Sequence, residues 1–367
     1  MKALHIHAGP RARRHLARHG LRPHDVGVIP AAAGGPKGLI LGPLDRFIFG
    51  EWLTRSDHIV HLVGASIGAW RMATACLTSP AAAFERLEHD YIHQDYTLEP
   101  GQTRPSARHV SERFGENLQA FYGGRVGEVL YHPRLRLHIV TSRGRHLLGR
   151  EHRIRTPLGY LGAFLSNAVH RKAMGAWLER VVFSSPLPLS GGACTPLPFA
   201  THDYRTRQIA LSAANFNPAL QASCSIPFLL QSVRDIPGAP PGAYWDGGIT
   251  DYHLHLQYNA PATGGAPLVL YPHFQKAVVP GWLDKSLPWR HRATPFLDHA
   301  IVLAPNPEWV RRLPHGKLPD RTDFTRYGAD LASRVKAWTT AAAASRQLAD
   351  EFSAWLERPS MDDVLPL

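Results

Sequence analysis

The stretch VGASIGAW (residues 63–70) places Ser66 between two glycines where a strand pattern changes into a helix pattern. The preceding run HIVHLV (58–63) is β-branched, and the following run AWRMATACL (69–77) is helical in composition. Two interpretations are open: a tight turn, or a nucleophile elbow that holds a serine hydroxyl above a sheet. The strand–turn–helix context favours the elbow, because a helix N-terminus stabilises developing negative charge.

Strand and helix patterns alternate on both sides of this turn. Strand-like runs lie at 26–30, 58–63, 134–142, 179–184, 207–211, 268–272 and 299–305. Such alternation predicts an α/β protein with a mostly parallel central sheet. No linker composition interrupts the chain. We therefore expect a single domain over residues 1–367, with a helical insertion around 80–131 and one C-terminal helix around 328–357.

Composition limits the class of protein and its partners. The 367 residues carry a formal net charge of +12, and 44% are hydrophobic. A basic surface suits nucleic acid, an anionic membrane or an acidic substrate, but it also serves solubility. No nucleic-acid-binding motif accompanies the charge, so no nucleic-acid partner is expected. A peripheral contact with an anionic membrane is compatible with it.

Cysteine usage and hydropathy predict a cytoplasmic protein. The three cysteines are far apart and form neither a metal motif nor a disulfide framework, which favours a reducing compartment. The N-terminal residues have no apolar core of signal-peptide length. No run approaches the ~18 consecutive apolar residues of a membrane span.

Two further segments suggest chemistry at Ser66. The loop AAAGGPKG (31–38) follows a strand, and its glycines allow close approach of the backbone to a ligand. Pro36 has no N–H, so Gly34 and Gly35 are the best oxyanion donors, although an ordinary strand–helix turn is the alternative. The segment YWDGG (244–248) suits a turn equally well, or a carboxylate, Asp246, that reaches a serine from another part of the chain.

Taken together and in order, GGPKG, GASIG, ASCSIP (222–227) and DGG resemble the patatin-like phospholipase family. That family carries a Gly-rich oxyanion loop ending in a basic residue and Gly, a GxSxG elbow, an AS-x-[SA]-x-P segment and an Asp-Gly-[Gly/Ala] motif. The matching blocks cover residues 26 to 248. The C-terminal third has no matching motif. Ala32-Ala33 stands where the family often has Asp-Gly, which adds a Cβ beside the oxyanion hole.

The resemblance implies a three-layer α/β/α sandwich and a Ser–Asp dyad without histidine. By position, Ser66 matches the nucleophile and Asp246 the base, while Gly34 and Gly35 supply oxyanion donors. Lys37 matches the basic position of the loop, with Gly38 after it, and is expected to support the loop rather than to touch the substrate. Neither a metal nor a cofactor is implied.

The expected function is that of a serine acyl hydrolase that cleaves acyl esters, above all of phospholipids or lysophospholipids. The chain has 22 histidines, and His253, His255, His273 and His299 follow Asp246. A Ser–Asp–His α/β-hydrolase therefore remains an alternative, as does an acyltransferase. A non-catalytic membrane-binding protein is a third alternative, since Trp282 and Trp289 lie beside Lys and Arg. His89 and His93, four apart on a predicted helix, are interpreted as a solvated face rather than a metal clamp.

Overall fold

A large, mostly parallel β-sheet forms the centre of this α/β protein. The computed structural model describes residues 1–96, 105–187, 193–258 and 265–367. The strands are β1 (Leu4–Ala8), β2 (Val26–Ala31), β3 (Val60–Ala65), β4 (Leu135–Gly144), β5 (Leu178–Ser184), β6 (Thr206–Ala210), β7 (Val233–Arg234), β8 (Ala243–Asp246), β9 (Leu268–Pro272), β10 (Ala300–Pro305) and β11 (Val364–Pro366). Their order is β11-β1-β10-β9-β2-β3-β4-β5-β6, and β8 pairs with both β4 and β7.

Five neighbouring strands, β10-β9-β2-β3-β4, run parallel to one another. Strands β2 and β3 are buried along their whole length, as is usual for parallel strands covered on both faces. Each run predicted as a strand overlaps one of these strands. Strands β1, β7, β8 and β11 were not predicted. Strands β7, β8 and β11 have four residues or fewer, whereas β1 does alternate apolar and polar residues (LHIHA), and its pattern was overlooked.

Thirteen α-helices connect the described strands. They are α1 (Pro10–His19), α2 (Gly42–Phe47), α3 (Ile67–Ala75), α4 (Pro80–His93), α5 (Ala107–Tyr122), α6 (Val126–Leu130), α7 (Arg155–Val169), α8 (Phe216–Cys224), α9 (Gly248–Asp251), α10 (Pro307–Val310), α11 (Thr322–Tyr327), α12 (Leu331–Ala344) and α13 (Arg346–Glu357). In the described part of the chain, none of the helices combines the length and apolar character needed to cross a membrane.

The helical insertion expected around 80–131 contains α4, α5 and α6, and its residues 97–104 lie outside the described part. The single C-terminal helix expected around 328–357 is wrong in one respect, because it consists of two helices that meet at Ser345. The Ser345 hydroxyl donates to the carbonyl of Ala342 at 2.7 Å. A serine that bonds a preceding carbonyl competes with the helical backbone pattern.

The pairing of β4 brings distant parts of the chain together. One edge of β4 pairs with β5 over residues 138–144. The other edge pairs with parallel β3 as far as Val140, and antiparallel β8 continues from Thr141. The carboxyl ends of β3 and β8 therefore point towards each other, and the residues that end them, Ala65 and Asp246, face consecutive positions of β4.

Candidate active site

The turn after β3 holds Ser66 in a strained backbone conformation. Ser66 has φ 56° and ψ −131°, which a non-glycine residue rarely adopts. Both flanking glycines are sterically required. A Cβ at Gly64 would lie 2.4 Å from the Cα of Ala69, and one at Gly68 would lie 1.9 Å from the carbonyl oxygen of Ala31. The turn thus has the geometry of a nucleophile elbow.

Asp246 lies directly against the Ser66 hydroxyl. The Oγ of Ser66 donates to Oδ2 of Asp246 at 2.6 Å, across 180 residues of sequence. The other oxygen, Oδ1, accepts from the N–H of Gly248 at 2.7 Å. Asp246 is the last residue of a strand rather than part of a loop, and a Cβ at Gly247 would lie 2.0 Å from the carbonyl oxygen of Val140. The aspartate therefore has a fixed orientation towards the serine.

The segment ASCSIP hydrogen-bonds to the backbones of Ser66 and Asp246 and so connects them. The Ser66 N–H donates to Oγ of Ser223 at 3.0 Å, and that hydroxyl donates to the carbonyl of Val140 at 2.7 Å. The N–H of Asp246 donates to the carbonyl of Ser225, and the N–H of Gly247 to the carbonyl of Ser223. Sequence reasoning assigned no chemical role to this segment. Its small residues were the available signal, because only small side chains fit between two backbones.

Burial makes Asp246 a better base than an exposed carboxylate. Asp246 is 5% exposed and Ser66 is 3% exposed. Desolvation raises the pKa of Asp246 to about 6, against the opposing effects of the Ser66 hydrogen bond, the positive charge of Arg321 and the Gly248 N–H. A pKa near 6 leaves the group ionised at neutral pH while bringing it closer to the pH at which it would accept a proton.

Arg321, like Ser223, was not identified from the sequence. It comes from the C-terminal third, just before α11, and a Cβ at Gly35 would lie 3.5 Å from its Nε. The guanidinium therefore lies against the Gly-rich loop. No sequence motif marks Arg321, since its position depends entirely on how the C-terminal third packs against the sheet.

The Gly-rich loop begins where β2 ends. The N–H of Ala33 donates to the carbonyl of Tyr252, so this amide is already used. Gly35 has φ 57°, a region that favours glycine. A 3₁₀ helix, Gly35–Leu41, follows; among the described residues, no hydrogen bond outside this helix is found for the amides of Gly34 and Gly35. These two amides are therefore the available donors of the loop.

Lys37 and Gly38 are the last two residues of this loop. The Nζ of Lys37 lies 5.3 Å from the centre of the Phe274 ring, and a Cβ at Gly34 would be 2.6 Å from an atom of the same ring. Burial lowers the pKa of Lys37. A Cβ at Gly38 would be 3.2 Å from Ile67, the neighbour of Ser66. Both positions thus contact elements that hold the loop in place.

The four histidines that could complete a triad bond to backbone carbonyls and not to the Ser66 hydroxyl. His253 bonds to the carbonyl of Ala277, His255 to that of Val278, His273 to that of Gln275 and His299 to that of Pro267. Burial lowers the pKa of all four imidazoles. Within the described part of the chain, the Ser66 hydroxyl bonds only to Asp246. This geometry favours a Ser–Asp pair over a Ser–Asp–His triad.

His89 and His93 stack on each other at 4.2 Å on exposed positions of α4. The described residues contain no group of three or more potential metal ligands. Of the two tryptophans on which the membrane-binding alternative rests, Trp282 is half-buried, whereas Trp289 is 64% exposed.

The cavity next to the loop is small. Gly35 and Ile67 line a pocket of about 20 Å³, which is room for about one water molecule. A larger pocket of about 650 Å³ lies beyond the carboxyl end of β4 and is lined by arginines, without Ser66 or Asp246. Ser66 and Asp246 line neither pocket, so we place the chemistry at the contact between the Ser66 hydroxyl and the Asp246 carboxylate itself.

Comparison with known proteins adds no family to this geometry: no protein-family model matches the chain, and no curated protein matches it either.

Proposed function

We propose that this protein is a serine acyl hydrolase of the patatin-like type, which cleaves acyl esters, above all those of lipids. The observation that carries the proposal is the 2.6 Å hydrogen bond from Ser66 to Asp246 at a strained strand–helix turn. A serine is a weak nucleophile until an adjacent base removes its proton. The large, mostly parallel sheet is compatible with the three-layer sandwich of that family.

The proposed reaction proceeds in two halves. The Ser66 Oγ attacks the ester carbonyl carbon while its proton passes to Oδ2 of Asp246. The tetrahedral intermediate then collapses, the bond to the leaving alcohol breaks, and Asp246 gives the proton to that alcohol. Water, deprotonated by Asp246, attacks the acyl-enzyme, and the proton returns to Ser66 as the acid leaves. An acyltransferase would differ only in using another alcohol in place of water.

The loop would stabilise the oxyanion of both intermediates. The amides of Gly34 and Gly35 are the donors that the loop has available, and the N-terminus of α3 adds a favourable dipole. Loss of one such donor in other enzymes costs ~10²–10³ in kcat. The residues of this chain supply all the proton transfers that the scheme needs.

Covalent labelling tests the proposal directly. We expect a fluorophosphonate probe to label the wild-type protein and to leave Ser66→Ala unlabelled, with loss of hydrolysis of an activated ester. Ser286→Ala is the matched control, because Ser286 is exposed and should not affect labelling. Labelling of folded Ser66→Ala at the wild-type level would exclude Ser66 as the nucleophile. A wild-type protein that is neither labelled nor active would favour the non-catalytic alternative.

A further inference from the structure

One face of α7 exposes a continuous row of aliphatic side chains. The exposed fractions are 64% for Ile154, 53% for Leu158, 53% for Leu161, 57% for Leu165 and 86% for Val169. Their spacing of three or four residues places them on one side of the helix. The sequence from Thr156 to Val169 contains no charged residue. Contiguous apolar patches of this kind on a surface mark a binding site.

The opposite face of α7 packs next to the candidate active site. Tyr160 is buried, and its ring lies 6.3 Å from that of Trp245, the residue before Asp246. The helix follows the carboxyl end of β4 and precedes β5, so it lies at the same end of the sheet as Ser66. The exposed row therefore faces outward from the end of the molecule that carries the Ser–Asp pair.

Two other exposed apolar side chains lie close to α7. Phe228 is 58% exposed, and its ring lies 5.9 Å from that of Tyr160. Trp289 adjoins Arg290, whose guanidinium donates to the carbonyls of Asn167 and Ala168 near the end of α7. We refer to Ile154, Leu158, Leu161, Leu165, Val169, Phe228 and Trp289 together as the α7 face.

Exposed cations border the α7 face. Arg150, Arg153 and Arg155 lie at the start of α7, and Lys172 and Arg292 lie near its end; all are exposed, and none forms an ion pair within the described residues. The pocket of about 650 Å³ adds Arg145, Arg205 and Arg234 beside Arg150. The nearby Glu151 already accepts hydrogen bonds from Ser232.

This charge distribution distinguishes between possible occupants of the face. A second copy of the chain would bring two sets of unpaired arginines and lysines close to each other, which costs energy. A bilayer with anionic headgroups suits both the aliphatic row and the cations around it. The aliphatic side chains would enter the boundary between headgroups and acyl chains, and the cations would contact the phosphates.

We propose that the α7 face docks the protein onto an anionic phospholipid bilayer, with the Ser66 end of the sheet towards the lipid. Binding itself needs no reaction at Ser66, whereas its use in delivering a lipid ester rests on the proposed function. The border cations then provide attraction from a distance, and the aliphatic row provides the contact.

Vesicle sedimentation of the Ser66→Ala protein tests the docking without hydrolysis. We expect binding to vesicles of phosphatidylcholine with phosphatidylglycerol, and weaker binding to phosphatidylcholine alone. Leu161→Glu/Leu165→Glu should lower the partition coefficient by at least about tenfold, since it puts charges in place of the aliphatic groups that would enter the bilayer. Binding should also fall with salt, because the Debye length decreases from about 30 Å at 0.01 M to about 3 Å at 1 M.

The matched control is Ile59→Glu/Tyr131→Glu, which makes the same charge change at exposed apolar residues near the amino ends of β3 and β4. This variant should bind vesicles like the parent. Equal vesicle binding by the two double variants would overturn the proposal. So would a wild-type dimer at micromolar concentration that Leu161→Glu/Leu165→Glu converts into a monomer.

The outcomes separate docking from catalysis. With Ser66 intact, Leu161→Glu/Leu165→Glu should keep its circular dichroism spectrum and its activity on a soluble ester, while it loses activity on vesicles. If Ser66→Ala binds vesicles but still hydrolyses esters, the docking stands and the proposed function fails. If Ser66→Ala is inactive but the wild type does not bind anionic vesicles, the docking fails alone.

Discussion

The burial of Asp246 favours catalysis but costs stability. Its burial raises the pKa to about 6, which suits a base, but an ionised carboxylate in that position costs stability. The pKa is higher in the folded chain than the ordinary 3.8. The stabilisation from this bound proton is therefore complete below about pH 3.8 and is lost as the pH rises through about 6.

Asp246→Asn should therefore inactivate and stabilise the protein together. Loss of the base should lower kcat by ~10²–10⁴. At pH 8 the free energy of unfolding should exceed that of the wild type by up to about 3 kcal/mol, and the difference should be smaller at pH 5. Urea unfolding at both pH values measures this, with exposed Asp350→Asn as the control. A variant less stable than wild type at pH 8 would contradict the account.

Arg321 should set the acid limb of the pH–activity profile. Its positive charge lowers the pKa of Asp246. Arg321→Ala should therefore raise that pKa and shift the acid limb of kcat/KM to higher pH, whereas Arg321→Lys should restore much of the wild-type profile. Arg326→Ala, at an exposed position of α11, is the control. An acid limb in Arg321→Ala that coincides with that of the wild type would show that this charge does not act on Asp246.

At the scale of elements, the candidate site depends on two close approaches between backbones. The start of α3 contacts the end of β2 at Gly68, and the start of α9 contacts β4 at Gly247. Neither position has room for a side chain. The sheet can hold Ser66 and Asp246 at hydrogen-bond distance because these glycines let the helices begin immediately after the strands.

Two helical glycines allow a controlled test of this requirement. Gly68 and Gly127 are each the second residue of a helix, but a Cβ at Gly68 would overlap the carbonyl of Ala31, whereas one at Gly127 would have no neighbour within 4 Å. We expect Gly68→Ala to destabilise the fold by about 1–3 kcal/mol or more through overpacking. Gly127→Ala should be neutral or stabilising by about 0.5–1 kcal/mol. Denaturant unfolding measures both, and similar losses would contradict the steric argument.

At the scale of the whole molecule, the sheet joins both ends of the chain. Strand β1 pairs with β10 on one side and with β11 on the other. The C-terminal third thus completes the sheet and also brings Arg321 to the Gly-rich loop. The same end of the sheet carries the α7 face, so the proposed chemistry and the proposed lipid contact share one side of the molecule.

The sequence by itself determined the local geometry of this protein. The strand patterns and the glycines around Ser66 could be interpreted because each depends on residues close together in the chain. The order of four short motifs also indicated Asp246 as the partner of Ser66, and the structure brings the two together. The roles of Ser66, Asp246, Gly34 and Gly35 in catalysis remain predictions.

Only the tertiary structure decided which distant groups meet. Strand β8 has four residues and no pattern of its own, so its pairing beyond the end of β3 depends on β4. The contacts of Ser223 and Arg321 likewise join segments that are far apart in sequence. The exposure of the α7 face also depends on tertiary structure. The sequence of an apolar helix does not show whether other parts of the protein cover one of its faces or both. Long-range packing chooses among such contacts, and local sequence carries little information about that choice.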